Sequence, residues 1–233
     1  MKRWHSPAML HRIILAPAAS FVALLAAPPA AQEAPAPRTD LVKLETTAGT
    51  ITVRIETGRA PITAANFLRY VDEKRFDGAT FYRAMRLDWE PQPNGLIQGG
   101  TQQDPKRVLP GIAHEPTTMT GLSHTRGALS MAMDEPGTAN GDFSIMVQDQ
   151  PGLDADPAAT DPVWRNGYAV FGHVSEGMDV VEAIHAMPTD PNKGEGWMKG
   201  QMLAEPVRIL HARRVPASSA ADQASPRKRA AGH

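Results

Sequence analysis

Cysteine is absent from the 233-residue chain. That excludes disulfides, thiolate zinc sites, cysteine nucleophiles and a lipidated-cysteine anchor, and leaves the redox compartment open. Aromatics make up only 6% of residues, while Gly (19) and Pro (21) are plentiful, which favours a turn-rich β protein over a helical bundle. No charge of either sign dominates, since the formal net charge is -1, which argues against a nucleic-acid binder. A nucleophile elbow, a phosphate loop and a dinucleotide fingerprint are all missing, which removes the commonest signatures of hydrolases, NTPases and dehydrogenases.

Long apolar runs are also missing, with one short exception. Lys2, Arg3 and Arg12 precede an apolar stretch from Ile13 to Ala27, and small residues follow. This is the layout of a secretory signal peptide. Pro17 interrupts the stretch, which is too short for a lasting transmembrane anchor. The expectation is a signal peptide over 1–31, cut near Ala30 or Ala31, with a disordered tail of a cytosolic protein as the alternative. Export would deliver the protein to the periplasm or the medium. A Pro/Ala linker over 32–38, one domain over 39–215 and a disordered basic tail over 216–233 complete the expected organisation.

Within the domain, Val42 and Leu44, then Ile51, Val53 and Ile55, alternate with polar residues around Thr47–Thr50 and predict a hairpin. Pro61 and the stripe Ala64, Phe67, Leu68 and Val71 predict a helix over 60–75. Strands are predicted from Phe81, over 96–100, 128–133, 143–148, 168–174 and 207–212, with a second helix over 178–186. Residues 87–94, 101–125 and 149–166 read as loops. About eight short strands and two helices predict a closed or nearly closed β-barrel with helices over its open ends.

Two side chains stand out. Period-2 geometry places Phe81, Arg83 and Met85 on one face, with the guanidinium between apolar neighbours. Leu96 and Gln98 share a face before the Gly99-Gly100 pair. An Arg and a Gln in an apolar setting suggest recognition of a polar group on a mostly apolar ligand. The local pattern alone favours the structural alternative, an Arg paired with a carboxylate at the core edge beside an ordinary Gly-Gly barrel corner. His114, Glu115 and His124 lack the spacing of a closed metal site, Asp154, Asp156 and Asp161 do not match a calcium loop, and no metal or cofactor is expected. The methionines Met131, Met133 and Met146 alternate on strands, as core or as a peptide groove.

The segments APITAANFLRYVDEKRFDGATFYRAM, LIQGG, GALSMAM, TANGDFSIMV and YAVFGHVSEGMDVVEAI resemble, in order and spacing, the cyclophilin-type peptidyl-prolyl cis-trans isomerases. The resemblance spans nearly all of residues 40–212 and implies an eight-stranded antiparallel closed barrel capped by two helices. It implies Arg83 as the central catalytic residue and Gln98 as the holder of the substrate backbone. Tyr82, Leu96, Ala132, Met133, Asp142, Phe143, Ser144, Leu153 and Tyr168 match positions of the substrate groove. Several depart from the family pattern. Tyr82 and Tyr168 stand for His, Gly95 for a pocket Phe, Asp142 for Gln, Ser144 for a second Phe, and Gly152 for an aromatic loop residue. The implied partners are proline-containing polypeptides met by a monomer. The implied activity is X-Pro isomerisation, and with the expected signal peptide its clients are folding extracytoplasmic proteins. A peptide-binding or chaperone module with weak isomerase activity, and a lipid-carrier barrel, are the alternatives.

Overall fold

The expected hairpin forms from β1 (Asp40–Thr46) and β2 (Gly49–Ile55), joined by a turn in which Thr46 Oγ1 donates to the Gly49 carbonyl and accepts from Ala48 N–H. The computed structural model of the chain describes residues 38–216. The expected signal peptide 1–31, nearly all of the linker and the tail beyond 216 lie outside the described residues. Six further strands follow: β3 (Thr80–Arg86), β4 (Gly95–Gly100), β5 (Ala128–Met131), β6 (Asp142–Met146), β7 (Val170–Glu176) and β8 (Met202–Arg214). Their order is β1-β2-β7-β5-β6-β4-β3-β8, closed, with every pairing antiparallel. Closure leaves no strand edge to template aggregation.

Two helices of useful length, α1 (Pro61–Asp72) and α4 (Met178–Ala186), flank the barrel. Between them in sequence lie the short α2 (Thr117–Thr120) and α3 (Pro162–Asn166), in stretches that read as loops. Packing of α1 is against β7 and β8, and of α4 against β2, β3 and β4. No residue of its own caps the start of α1, where Ala60 stands. The buried Glu115 supplies the missing acceptors from 52 residues away: its carboxylate takes Ile62 N–H at 3.1 Å, Thr63 N–H at 2.7 Å and Thr63 Oγ1–H at 2.7 Å. A negative charge at a helix N-terminus is also favoured by the helix dipole.

The barrel interior is where the aromatics go. Of six phenylalanines in the chain, Phe67, Phe76, Phe81, Phe143 and Phe171 meet in one cluster. Phe143 lies edge-on to Phe67 at 5.3 Å and to Phe81 at 5.8 Å. Burial of each is worth about 1.5–3 kcal/mol, so the core takes its stability from residues the groove then lacks. Among the described residues no helix is long and apolar enough to cross a membrane.

Glu115→Ala removes three acceptor contacts and leaves buried donors unmet, which costs about 1–3 kcal/mol. A lower denaturant midpoint at unchanged slope in chemical unfolding is the expected result.

Candidate active site

The period-2 reading of β3 is corrected by a β-bulge. Phe81 pairs with Gly99 on β4, but Arg83, two residues on, pairs with Gln98, and the β8 register shifts at the same place. Tyr82 is the extra residue. Phe81 and Ala84 consequently point into the core, while Arg83 and Met85 lie on the outer face. Arg83 therefore does not share a face with Phe81.

Arg83 is 3% exposed. Its Nη1–H donates to Gln98 Oε1 at 2.6 Å, and Nε–H and Nη2–H both donate to Gln201 Oε1, at 2.9 and 2.7 Å. The Trp197 ring lies over the guanidinium, 4.4 Å from centroid to Cζ. Removal from water pulls the guanidinium down to about 10, opposed by the fields of Tyr82 and Tyr168. It still carries its charge at neutral pH. Among the described residues no carboxylate pairs with it, which removes the core-edge ion pair as its explanation.

From Arg83 a polar row crosses the sheet through Gln98, Ser144 and Ser130, adjacent in register on β4, β6 and β5. Ser130 Oγ then meets His124 Nε2 at 2.8 Å, and His124 Nδ1 meets Asp154 Oδ1 at 2.5 Å. Ser130 is 2% exposed, so the chain braces β5 against the 149–154 loop rather than offering a nucleophile. Although Asp154 favours imidazolium, burial outweighs it and holds His124 below its ordinary value. Beside this row runs an apolar one of Met85, Leu96, Met146 and Ala128, joined by Val170, Leu122 and Leu153.

Most of the groove residues expected from the sequence come together here. Tyr82 is buried beside Gln98 and Asp142, and burial raises its phenol. Tyr168 is half-buried within the field of Arg83, and its N–H donates to the Leu153 carbonyl at 3.0 Å. Half-buried Ala132 and Met133 follow β5, with Ala132 N–H donating to the Asp142 carbonyl at 2.9 Å. The Asp142 carboxylate accepts Gln102 N–H at 2.8 Å, and burial raises its pKa. Phe143 is corrected: with no exposed surface and three phenylalanine neighbours, it belongs to the core, because strand alternation turns Asp142 and Ser144 outward instead. Of the residues weighed as metal ligands, Glu115 caps α1, His124 braces β5 and His114 Nε2 meets the Asn166 carbonyl.

Gly95 has a local cause. Its φ is +129°, and a Cβ there would fall 1.9 Å from the Met85 carbonyl oxygen, so no side chain fits. Gln201 and Trp197 escaped the sequence reading because they sit over 110 residues from Arg83. Only the Gly194, Gly196, Gly200 spacing hints at a built turn there.

The fold and site define a closed barrel whose outer face carries an apolar row beside a buried cation that, among the described residues, has no carboxylate partner. The sequence model described as cyclophilin type peptidyl-prolyl cis-trans isomerase/CLD matches residues 41–214. A peptidyl-prolyl cis-trans isomerase of Acinetobacter baylyi is 38% identical over 174 residues, covering 73% of this chain and 82% of the relative. One from Streptomyces antibioticus is 35% identical, covering 72% and 98%. The crystal structure of a cyclophilin-type isomerase from Cryptosporidium parvum shares the fold, with a TM-score of 0.59 at 19% identity over 77% of this chain and 99% of that one. The chain belongs to the cyclophilin-type peptidyl-prolyl cis-trans isomerase family, and its activity is isomerisation of X-Pro bonds in proline-containing peptides.

His124 binds its proton less tightly folded than unfolded, so the unfolded chain takes up more protons as pH falls below about 6.5, the ordinary histidine value. Stability contributed by the neutral ring is present above that value and lost on acidification through the lower folded pKa. His185 is shifted the same way, by burial. His124→Gln is expected to reduce, without abolishing, the fall in thermal midpoint between pH 7 and pH 5.

Proposed function

We propose that Arg83 is the electrophilic catalyst and that the protein serves as a monomeric folding isomerase for extracytoplasmic polypeptides. The observation that carries the catalytic part is a guanidinium aimed outward by a bulge and oriented by two neutral amide oxygens. Amide resonance gives an X-Pro bond a rotation barrier of roughly 18–20 kcal/mol. As the bond twists, the prolyl nitrogen loses conjugation and becomes a better hydrogen-bond acceptor. A guanidinium N–H donating to it stabilises the twisted state above either planar one, which is what lowers a barrier. With little water around it, the charge acts at low screening. Gln98 spends its oxygen on Arg83 and one N–H on the Tyr82 hydroxyl, which leaves its second N–H to donate to a substrate carbonyl. The apolar row through Leu96 and Met146 receives the proline ring. No proton transfer or nucleophile enters the reaction.

Export is supported by the basic start and the short Ile13–Ala27 run.

In a protease-coupled assay on X-Pro peptides, Arg83→Ala is expected to lower kcat/KM by about 10²–10³, the cost of losing one preorganised charge stabiliser. A wild type no faster than Arg83→Ala refutes the role. For export, N-terminal sequencing of protein from the producing cells is expected to begin near Gln32, and a Met1 start in the cytosolic fraction contradicts it.

A further inference from the structure

The turn preceding β8 touches the reacting cation more closely than any residue of the expected groove except Gln98. Lys193 to Gln201 folds back on itself: Gly200 N–H donates to Lys193 C=O at 2.8 Å, and Gln201 N–H to Met198 C=O at 3.1 Å. Gly194, at φ +88°, sits where a Cβ would fall 2.4 Å from the Met198 carbonyl oxygen, so the tight return requires glycine. The turn is tied to β3 beside the cation, since Ala84 N–H donates to Gln201 C=O at 2.9 Å. Within it, Gln201 Nε2–H donates to Trp197 C=O at 2.9 Å. That bond fixes which end of the amide faces Arg83: the oxygen, taking two N–H groups at once.

Trp197 is then held with one face on the guanidinium and is otherwise 70% exposed. An indole fixed beside a reacting group and left in water is an unspent contact surface. Its position is also informative. Guanidinium N–H groups donate in the plane of the cation, so a prolyl nitrogen meets Arg83 at its edge, while the indole covers its face. The apolar row on β4 and β6 lies on the Gln98 side of Arg83, and Trp197 lies on the β8 side. A peptide with its proline on that row must carry a neighbouring residue past the indole.

We propose that Trp197 is a specificity-determining residue that selects aromatic or large apolar side chains next to the substrate proline, and that Gln201 is a positioning residue for Arg83. The inference rests on the isomerase reading of this site. Trp197 supplies from a distant turn the aromatic surface that Gly95 and Ser144 do not provide. Gln201 supplies a second amide oxygen, where the Asp142 carboxylate is committed to Gln102 N–H.

The test compares Phe-Pro and Gly-Pro peptides in the isomerisation assay. Wild type is expected to favour Phe-Pro, and Trp197→Ala to raise KM for Phe-Pro about five- to tenfold with kcat within twofold, flattening the ratio. Trp197→Phe keeps the preference. Gln201→Ala is expected to lower kcat about tenfold with KM unchanged on both peptides. Equal loss on both peptides in Trp197→Ala, or an unchanged ratio, overturns the selectivity role, and a KM effect without a kcat effect in Gln201→Ala overturns positioning. Titration with the Phe-Pro peptide followed by tryptophan emission separates this from failure of catalysis. A wild type that turns over nothing yet shows a peptide-dependent signal absent in Trp197→Phe loses the isomerase reading and keeps the contact. Peptide binding that leaves Trp197 emission unchanged overturns the contact itself.

Discussion

One extra residue in β3 decides where the cation of the candidate site lies. Without the bulge at Tyr82, strict alternation would put Arg83 on the same side as Phe81, inside a barrel packed with phenylalanine. A cation there would face several kcal/mol of desolvation with no partner. The bulge lets Phe81 stay in the core and hands Arg83 to the outer face, opposite Gln98. It also shifts the pairing with β8, and that shift brings Gln201 alongside the cation. Aim, first amide and second amide all follow from the same local departure from pleat geometry.

Scarcity of aromatics explains the rest of the groove. Five phenylalanines are committed to the interior, where they knit α1 to β3, β6 and β7. On the outer face, Gly95 has no room for a side chain and Ser144 continues a polar row, so β4 and β6 contribute aliphatic and sulfur-bearing surface instead. Apart from Tyr82 on β3, aromatic surface comes from outside the sheet: Tyr168 beside Leu153, and Trp197 from the turn before β8. These two aromatics sit on connections, which tolerate sequence change better than paired strands do.

These features differ in how far the sequence exposes them. The β1–β2 hairpin, α4 and the eight-strand count were legible because each rests on local periodicity and turn chemistry. Arg83 and Gln98 stand out through the surrounding segments, and the structure brings the two together. The bulge was not legible, because nothing in Phe81-Tyr82-Arg83 distinguishes a pleat from a bulge. The difference lies in two partner strands at once. Phe143 was placed in the groove for the same kind of reason: in Asp142-Phe143-Ser144 either parity looks plausible until the pairing of Gln98 with Ser144 settles it. Glu115 at the head of α1 and Gln201 at Arg83 are long-range partners, and a sequence window carries no trace of them. The pattern of the last strand reads as 207–212 because Glu205 and Pro206 interrupt it, although β8 runs through both.

The choice of amides around Arg83 has a physical logic. A carboxylate would hold the guanidinium more tightly than an amide, but it would also cancel the field that a twisted prolyl nitrogen is proposed to feel. Glutamine oxygens orient the fork through dipoles and leave the net charge intact. Tyr82 and Tyr168 behave similarly, with burial raising both phenols so that they stay neutral. The buried Asp142 nearby turns its carboxylate to a backbone N–H and has its own pKa raised by burial. The surroundings therefore keep one charge, hold it with neutral dipoles, and cover its face with an indole that draws on the same charge by cation–π attraction. That attraction costs the cation little of its field, because the ring quadrupole falls away faster with distance than a carboxylate's charge would.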